Sequence, residues 1–247
     1  MMDETACANS LKSRLQGRVA LITGASQGIG LALARALARE GCELAITARN
    51  PSRIEQAGRE LAQETARVLA SACDVTKTSE VDSLCASVQQ EFGRLDILIN
   101  NAGISHPIAP VERLEPEMWE RVLATNLTGM FLVTRRSIPL MRAGASIVNN
   151  LSVRGVFAGE AAYCASKHGA LALTNTLREE LRARKIRVIA LMAGPTNTEI
   201  WNQFWPDAPR ANMMAPETVA AAVVAALLLP SNSSLDELII NPTTGML

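Results

Sequence analysis

Residues 18–41 read RVALITGASQGIGLALARALAREG. The β-branched run Arg18–Thr23 predicts a strand, Gly28–Glu40 a helix, and Gly41 the stop at its C-terminal end. Between strand and helix stand Gly24, Gly28 and Gly30, with Ser26, Gln27 and Ile29 on the same turn. A nucleotide pyrophosphate needs a tight turn, a close backbone approach and a helix N-terminus with free N–H groups. The three glycines meet those needs, although a glycine cluster alone is weak and gains its force from the strand–turn–helix setting.

The same alternation continues outward from this unit. Glu43–Ala48, Arg67–Cys73, Leu95–Ile99, Ala145–Leu151, Ile186–Leu191 and Glu237–Ile240 read as further strands. Pro51 opens one helix, and Ser79–Phe92, Glu115–Arg142, Glu160–Lys185 and Pro216–Leu229 read as others. Strands separated by helices predict an α/β, Rossmann-type doubly wound parallel sheet of about seven strands, with helices on both faces. The 247 residues fit one domain, 17–247, after a flexible leader at 1–16. Residues 193–215 lack periodicity and carry Trp201, Phe204 and Trp205, which predicts a lid.

Composition removes several functions. Twenty-four basic residues balance 24 acidic ones and aromatics make up 3%, leaving neither a basic footprint nor stacking platforms for nucleic acid. The longest apolar run, Val219–Leu229, has eleven residues, too few for a membrane span. No secretory signal is legible, and five cysteines without a C-x-x-C pair fit reduced thiols in the cytoplasm. Two histidines without a spaced partner make no metal site.

Ligands in open α/β sheets bind beyond the carboxyl ends of the strands. The second strand ends at Ala48, and Arg49 follows it, nineteen residues after Gly30. An Asp or Glu at this point would suit a free ribose diol, whereas a cation suits a 2′-phosphate. Arg49 therefore predicts NADP (NADPH) over NAD.

Tyr163-Cys-Ala-Ser-Lys167 gives Y-x-x-x-K, and N100-N-A-G103 follows the fourth strand. With T23-G-x-x-x-G-x-G30 ahead of them, the chain resembles the short-chain dehydrogenase/reductase family in its single-domain form, over about residues 17–245. The resemblance implies an enzyme that interconverts a carbonyl and a secondary alcohol with a nicotinamide cofactor. It implies Tyr163 as general acid/base, Lys167 on the nicotinamide ribose, Ser152 on the substrate oxygen and Asn126 behind a proton-relay water. It further implies Asp74 and Val75 at the adenine, Asn101, Ala102 and Gly103 beside the cofactor, and Thr196 and Thr198 near nicotinamide and phosphates. Dimers or tetramers are implied as well, and the apolar residues Met130, Phe131, Leu132, Val133, Leu171, Leu173 and Leu177 point the same way.

The chemistry can be weighed without the family. Tyr163 and Lys167 are four apart and share a helix face. A tyrosine acting as base at neutral pH needs its pKa lowered by about three units, roughly 4 kcal/mol. An ammonium about 5 Å away at an effective dielectric of 20 supplies roughly 3 kcal/mol.

Two features depart from the family pattern. Ser152 and Tyr163 are eleven residues apart, closer than is usual, and Ala193-Gly194 replaces the usual Pro-Gly. The lid aromatics, with Met213 and Met214, predict a fairly apolar substrate. No G-x-S-x-G elbow supports a hydrolase built on Ser152 with His106 or His168, and Cys164 reads as a packing thiol. An NAD-dependent alcohol dehydrogenase and a non-catalytic NADP(H) sensor remain open at this point.

Overall fold

The computed structural model describes residues 15–152, 156–230 and 232–245, without the side chains of 203 and 204. The strands are β1 (Val19–Thr23), β2 (Glu43–Ala48), β3 (Val68–Ala72), β4 (Leu95–Asn100), β5 (Met141–Asn150), β6 (Arg187–Ala193) and β7 (Glu237–Ile240). They form one parallel sheet in the order β3-β2-β1-β4-β5-β6-β7. The order reverses between β1 and β4, which opens a crevice at the carboxyl ends of those two strands.

Alternation along β1 divides the core. Ile22 joins Leu44 and Ile46 against Leu33 and Leu37 of α1 (Gly28–Arg39) and Val219 and Val223 of α8 (Pro216–Leu227). Leu21 joins Leu98 and Ile147 on the other face. There they pack against Leu84 of α3 (Thr78–Phe92), Val133 of α5 (Gly129–Ser137) and Leu177 of α6 (Ala161–Arg182). Period-two side-chain direction thus buries both faces of one strand. The remaining helices are α2 (Pro51–Leu61), α4 (Pro116–Leu123) and the single turn α7 (Trp201–Phe204).

Three expectations are corrected. Glu115–Arg142 is helical without a break only from Pro116 to Leu140, and not uniformly α: α4 passes through a π-helical stretch, Ala124–Thr128, into α5 and a closing 3-10 turn, Ile138–Leu140. Pro139 cannot donate to the helical ladder, and Met141 already pairs with Leu95 as strand. The leader cannot run to residue 16, because Leu15 is buried in the core and its carbonyl accepts from the Cys42 thiol; residues 1–14 lie outside the described set. Met214 is buried in the core beneath the lid rather than facing a ligand.

Among the described residues no helix is long and apolar enough to cross a membrane. Cys42, Cys73, Cys85 and Cys164 are all buried and unpaired.

Candidate active site

A cleft of about 610 Å³ runs from the end of β2, past β1 and β4, to the start of α6. Gly24, Ser26, Gln27, Gly28 and Ile29 line it from the first turn, and Arg49 and Val75 from the next two strand ends. Asn101, Ala102 and Gly103 continue the wall, followed by Ser152, Tyr163, Lys167, Thr196 and Thr198. Residues spread over most of the chain therefore meet in one groove. Gly30, Asp74 and Asn126 do not line it; they act from behind.

Gly30 shows why the turn needs glycine. A Cβ there would lie 2.3 Å from the Gly24 carbonyl oxygen and 2.5 Å from Asn101 Nδ2. Gly28 stands at φ +57° with the Thr198 methyl 3.1 Å from where a Cβ would be, so Thr198 packs on the turn. No side chain caps α1, leaving its first N–H groups without an internal partner. These features fit a pyrophosphate.

Polar side chains pin the strand ends together. Thr23 Oγ1 accepts from the N–H groups of Asn101 and Ala102, each at 3.0 Å. Asn101 Nδ2 donates to the carbonyls of Thr23 and Gly24 at 3.0 and 3.1 Å, while Asn150 Nδ2 donates to Asn101 Oδ1 at 2.9 Å. The Asn101 side chain is thus spent on holding the turn. Asp74 is similarly committed, accepting from Thr76 N at 3.0 Å and Thr76 Oγ1 at 2.8 Å. Burial works against its charge, but those bonds, with Arg49 and Lys77 nearby, hold its carboxyl below the usual range.

Asn126 sits in the π-helical stretch, a distortion that recurs at functional sites. Its Oδ1 accepts from Ile104 N at 2.8 Å, and its Nδ2 donates to Ile104 O and to Ser166 Oγ at 2.9 and 3.0 Å. It stitches the segment after β4 to α6, the helix that carries Tyr163 and Lys167.

The reactive groups cluster where β5 meets α6. Ser152 has φ +81°, a left-handed conformation uncommon outside glycine, and its hydroxyl is hydrogen-bonded to that of Tyr163. The residues after it, 153–155, lie outside the described set, so the shortened interval is described only in part. Lys167 Nζ donates to Asn150 O at 2.8 Å and lies 5.5 Å from the Tyr163 ring centre.

Both side chains show some surface to the cleft, yet phenol and ammonium are shielded by protein. Burial raises the Tyr163 pKa to about 12, with the Ser152 bond opposing and Glu160 and Cys164 adding to the rise. Burial lowers Lys167 to about 8. The depressed tyrosine expected from its lysine neighbour is therefore not found in the protein alone. Desolvation outweighs the Ser152 hydrogen bond, and Tyr163 holds its proton at neutral pH.

Cations meet at the other end of the groove. Arg49 and Arg53 are exposed and line it, and Arg53 Nη1 donates to Gln27 Oε1 at 2.8 Å. Arg53 escaped sequence analysis because it lies on α2 and reaches the turn only through the β1–β2 pairing. Glu160 and Ser105, which also line the cleft, fall in no motif.

Trp201 and Trp205 close the groove from the lid, their ring centres 6.3 Å apart; the Phe204 side chain is outside the described set. Trp201 Nε1 donates to Thr196 O at 2.8 Å, and Arg210 Nη1 to Thr198 O at 2.8 Å, lacing the lid to itself. His106 is fully buried against Pro107 O and His168 is exposed with Nδ1 at Cys164 O. Neither lines the cleft.

Residues 18–209 match the short chain dehydrogenase family. The D-threitol dehydrogenase of Mycolicibacterium smegmatis is 35% identical over 225 residues, 85% of this chain and 86% of that protein. The alcohol dehydrogenase of the archaeon Thermococcus sibiricus, solved with 5-hydroxy-NADP, superposes with a TM-score of 0.83 at 29% identity, covering 92% of this chain and 97% of that one. The 3-ketoacyl-(acyl-carrier-protein) reductase of Brucella melitensis, solved with NADH, gives a TM-score of 0.82 at 30% identity, covering 93% and 98%.

Proposed function

Since the chain belongs to the short-chain dehydrogenase family, oxidoreductases that act on CH–OH and C=O groups, we propose that it interconverts a ketone and a secondary alcohol with NADP(H). The observation that carries this reading is the Ser152–Tyr163 hydroxyl pair, backed by Lys167, in the same groove as the phosphate turn and Arg49.

NADPH held along the glycine turn, with Lys167 at its ribose, would supply the hydride for a carbonyl carbon. Ser152 donates a hydrogen bond to the carbonyl oxygen as negative charge builds there. Tyr163 then gives its phenolic proton to that oxygen, so ketone, hydride and proton balance as alcohol. A tyrosine that burial keeps protonated suits this direction. For oxidation the phenol must act as base, and the positive charges of Lys167 and an oxidised nicotinamide would favour its ionised form.

Lys167, held by Asn150 O beside Tyr163, is placed to take the nicotinamide ribose hydroxyls. Asn126 fixes Ile104, and with it Gly103, at the groove floor. Arg49, with Arg53 beside it, supports a preference for the 2′-phosphate of NADP. An intact Ser152–Tyr163 pair argues against a sensor without turnover.

Trp119 and Phe131, 38% and 45% exposed on α4 and α5, support a homo-oligomer. The buried, unpaired thiols support a cytoplasmic setting. Consumption of NADPH with a panel of ketones, compared with Tyr163→Phe, tests the reading: no turnover on any carbonyl or alcohol with either nicotinamide cofactor would overturn it.

A further inference from the structure

Glu199 stands at the head of the lid, next to Thr198; it is exposed and lines the cleft. From the point where a Cβ on Gly28 would be, the Thr198 methyl is 3.1 Å away and Glu199 Oε2 3.6 Å away. The carboxylate is thus in van der Waals reach of the space that glycine leaves open on the phosphate turn.

The backbone that presents it is held in place. Asn202 N donates to Glu199 O at 3.1 Å as the chain enters α7, and Trp201 Nε1 donates to Thr196 O at 2.8 Å. Arg210, the cation laced to this segment, donates to Asn197 Oδ1, Thr198 O and Asn202 Oδ1 at 3.0, 2.8 and 2.7 Å. Those bonds go to amide oxygens and pass Glu199 by.

The first N–H groups of α1 carry the positive end of a helix dipole, and no side chain caps them. A carboxylate is drawn to that end for the same reason as a pyrophosphate. Two anions cannot share it, because like charges a few ångströms apart repel strongly outside bulk water.

We propose that Glu199 is an anionic latch on the phosphate turn, standing where a dinucleotide's pyrophosphate must pass, so that a cofactor binds only by turning it out. Because the side chain is exposed, it can swing into solvent without unpacking the lid. The lid thereby carries its own competitor for the cofactor. The competition acts on the pyrophosphate that NADPH and NADH share, and so is independent of Arg49 and a 2′-phosphate. The proposal rests on the reading of the groove as a nicotinamide dinucleotide site.

The test is binding rather than turnover. The full chain is titrated with ADP-ribose, which carries the pyrophosphate, by calorimetry, and with adenosine, which lacks it, by ligand-observed NMR. Glu199→Gln keeps the shape and drops the charge; it is expected to tighten ADP-ribose roughly fivefold or more and leave adenosine unchanged. Glu199→Ala should do the same, and NADPH and NADH should gain by the same factor. Urea melts check that both variants are folded, as substitution of an exposed side chain predicts.

Unchanged or weaker ADP-ribose binding by the folded variants overturns the latch. An equal gain for adenosine does so too, because the effect would then lie away from the phosphates. A gain in Glu199→Ala without one in Glu199→Gln assigns the effect to bulk and overturns the competition of charges. If neither wild type nor variants bind any dinucleotide, the dinucleotide reading falls and the latch with it. Tighter dinucleotide binding without turnover on any carbonyl leaves the latch standing and counts against the redox reading instead.

Discussion

Lys167 Nζ stands 5.5 Å from the centre of the Tyr163 ring and is tied to Asn150 O, yet in the protein alone it does not bring the phenol's pKa down. Burial moves the two pKa values apart, tyrosine up to about 12 and lysine down to about 8. Near neutral pH the lysine is still an ammonium but the phenol keeps its proton, so the ion pair that base catalysis would use is not pre-formed.

Tyr163→Phe removes the proton donor and little else. Turnover is expected to fall by roughly 10²–10⁴, with cofactor affinity nearly unchanged. Steady-state rates and a cofactor titration check this; more than a few per cent residual activity on a good substrate would displace Tyr163 from its role.

Lys167 gives a pH signature to stability. The folded protein releases this proton near pH 8, whereas an unfolded lysine holds it to about 10.5. Between those values the unfolded state binds more protons, so this group's contribution to stability rises with pH. Below pH 8 the buried ammonium is a net cost. Lys167→Met should therefore be more stable than wild type at pH 7, by on the order of 1–3 kcal/mol, with the gain shrinking by pH 10. Urea melts at both pH values, without cofactor, decide it; a pH-independent difference would contradict the shift.

Arg49→Asp exchanges a cation for a repelling charge where a 2′-phosphate would sit. The NADPH dissociation constant should rise at least tenfold, about 1.4 kcal/mol, while that for NADH should change little or fall. Fluorescence titration of both cofactors checks this, and equal or tighter NADH binding by the wild-type protein would reverse the assigned preference.

Asn126→Ala leaves Ile104 N and O unpaired in a buried place. A loss of roughly 1–3 kcal/mol per orphaned group is expected, visible in chemical denaturation. Unchanged stability would show that Asn126 does not hold the groove floor.

Phe131 is 45% exposed on α5 and Trp119 38% exposed on α4. Phe131→Glu should dissociate the expected homo-oligomer. Light scattering at micromolar concentration reads the mass; an active wild-type species near 26.4 kDa would rule the oligomer out.

Much of this was legible in one dimension. The 18–41 stretch implied its strand, turn and helix, because glycines at 24, 28 and 30 and period-two apolar residues act locally. Tyr163 and Lys167 could be placed on one helix face by spacing alone. The helix expected over Glu115–Arg142 ends two residues early because Pro139 lacks the N–H that would continue the ladder, and apolar spacing carries no sign of its π-helical stretch. Arg53, Ser105 and Glu160 could not be read from the chain. No spacing relates Arg53 to Gln27, 26 residues away; the parallel pairing of β1 with β2 makes them neighbours. Nor could the direction of the Tyr163 shift be read, since charge can be counted along a sequence, whereas desolvation depends on what the fold packs around the phenol.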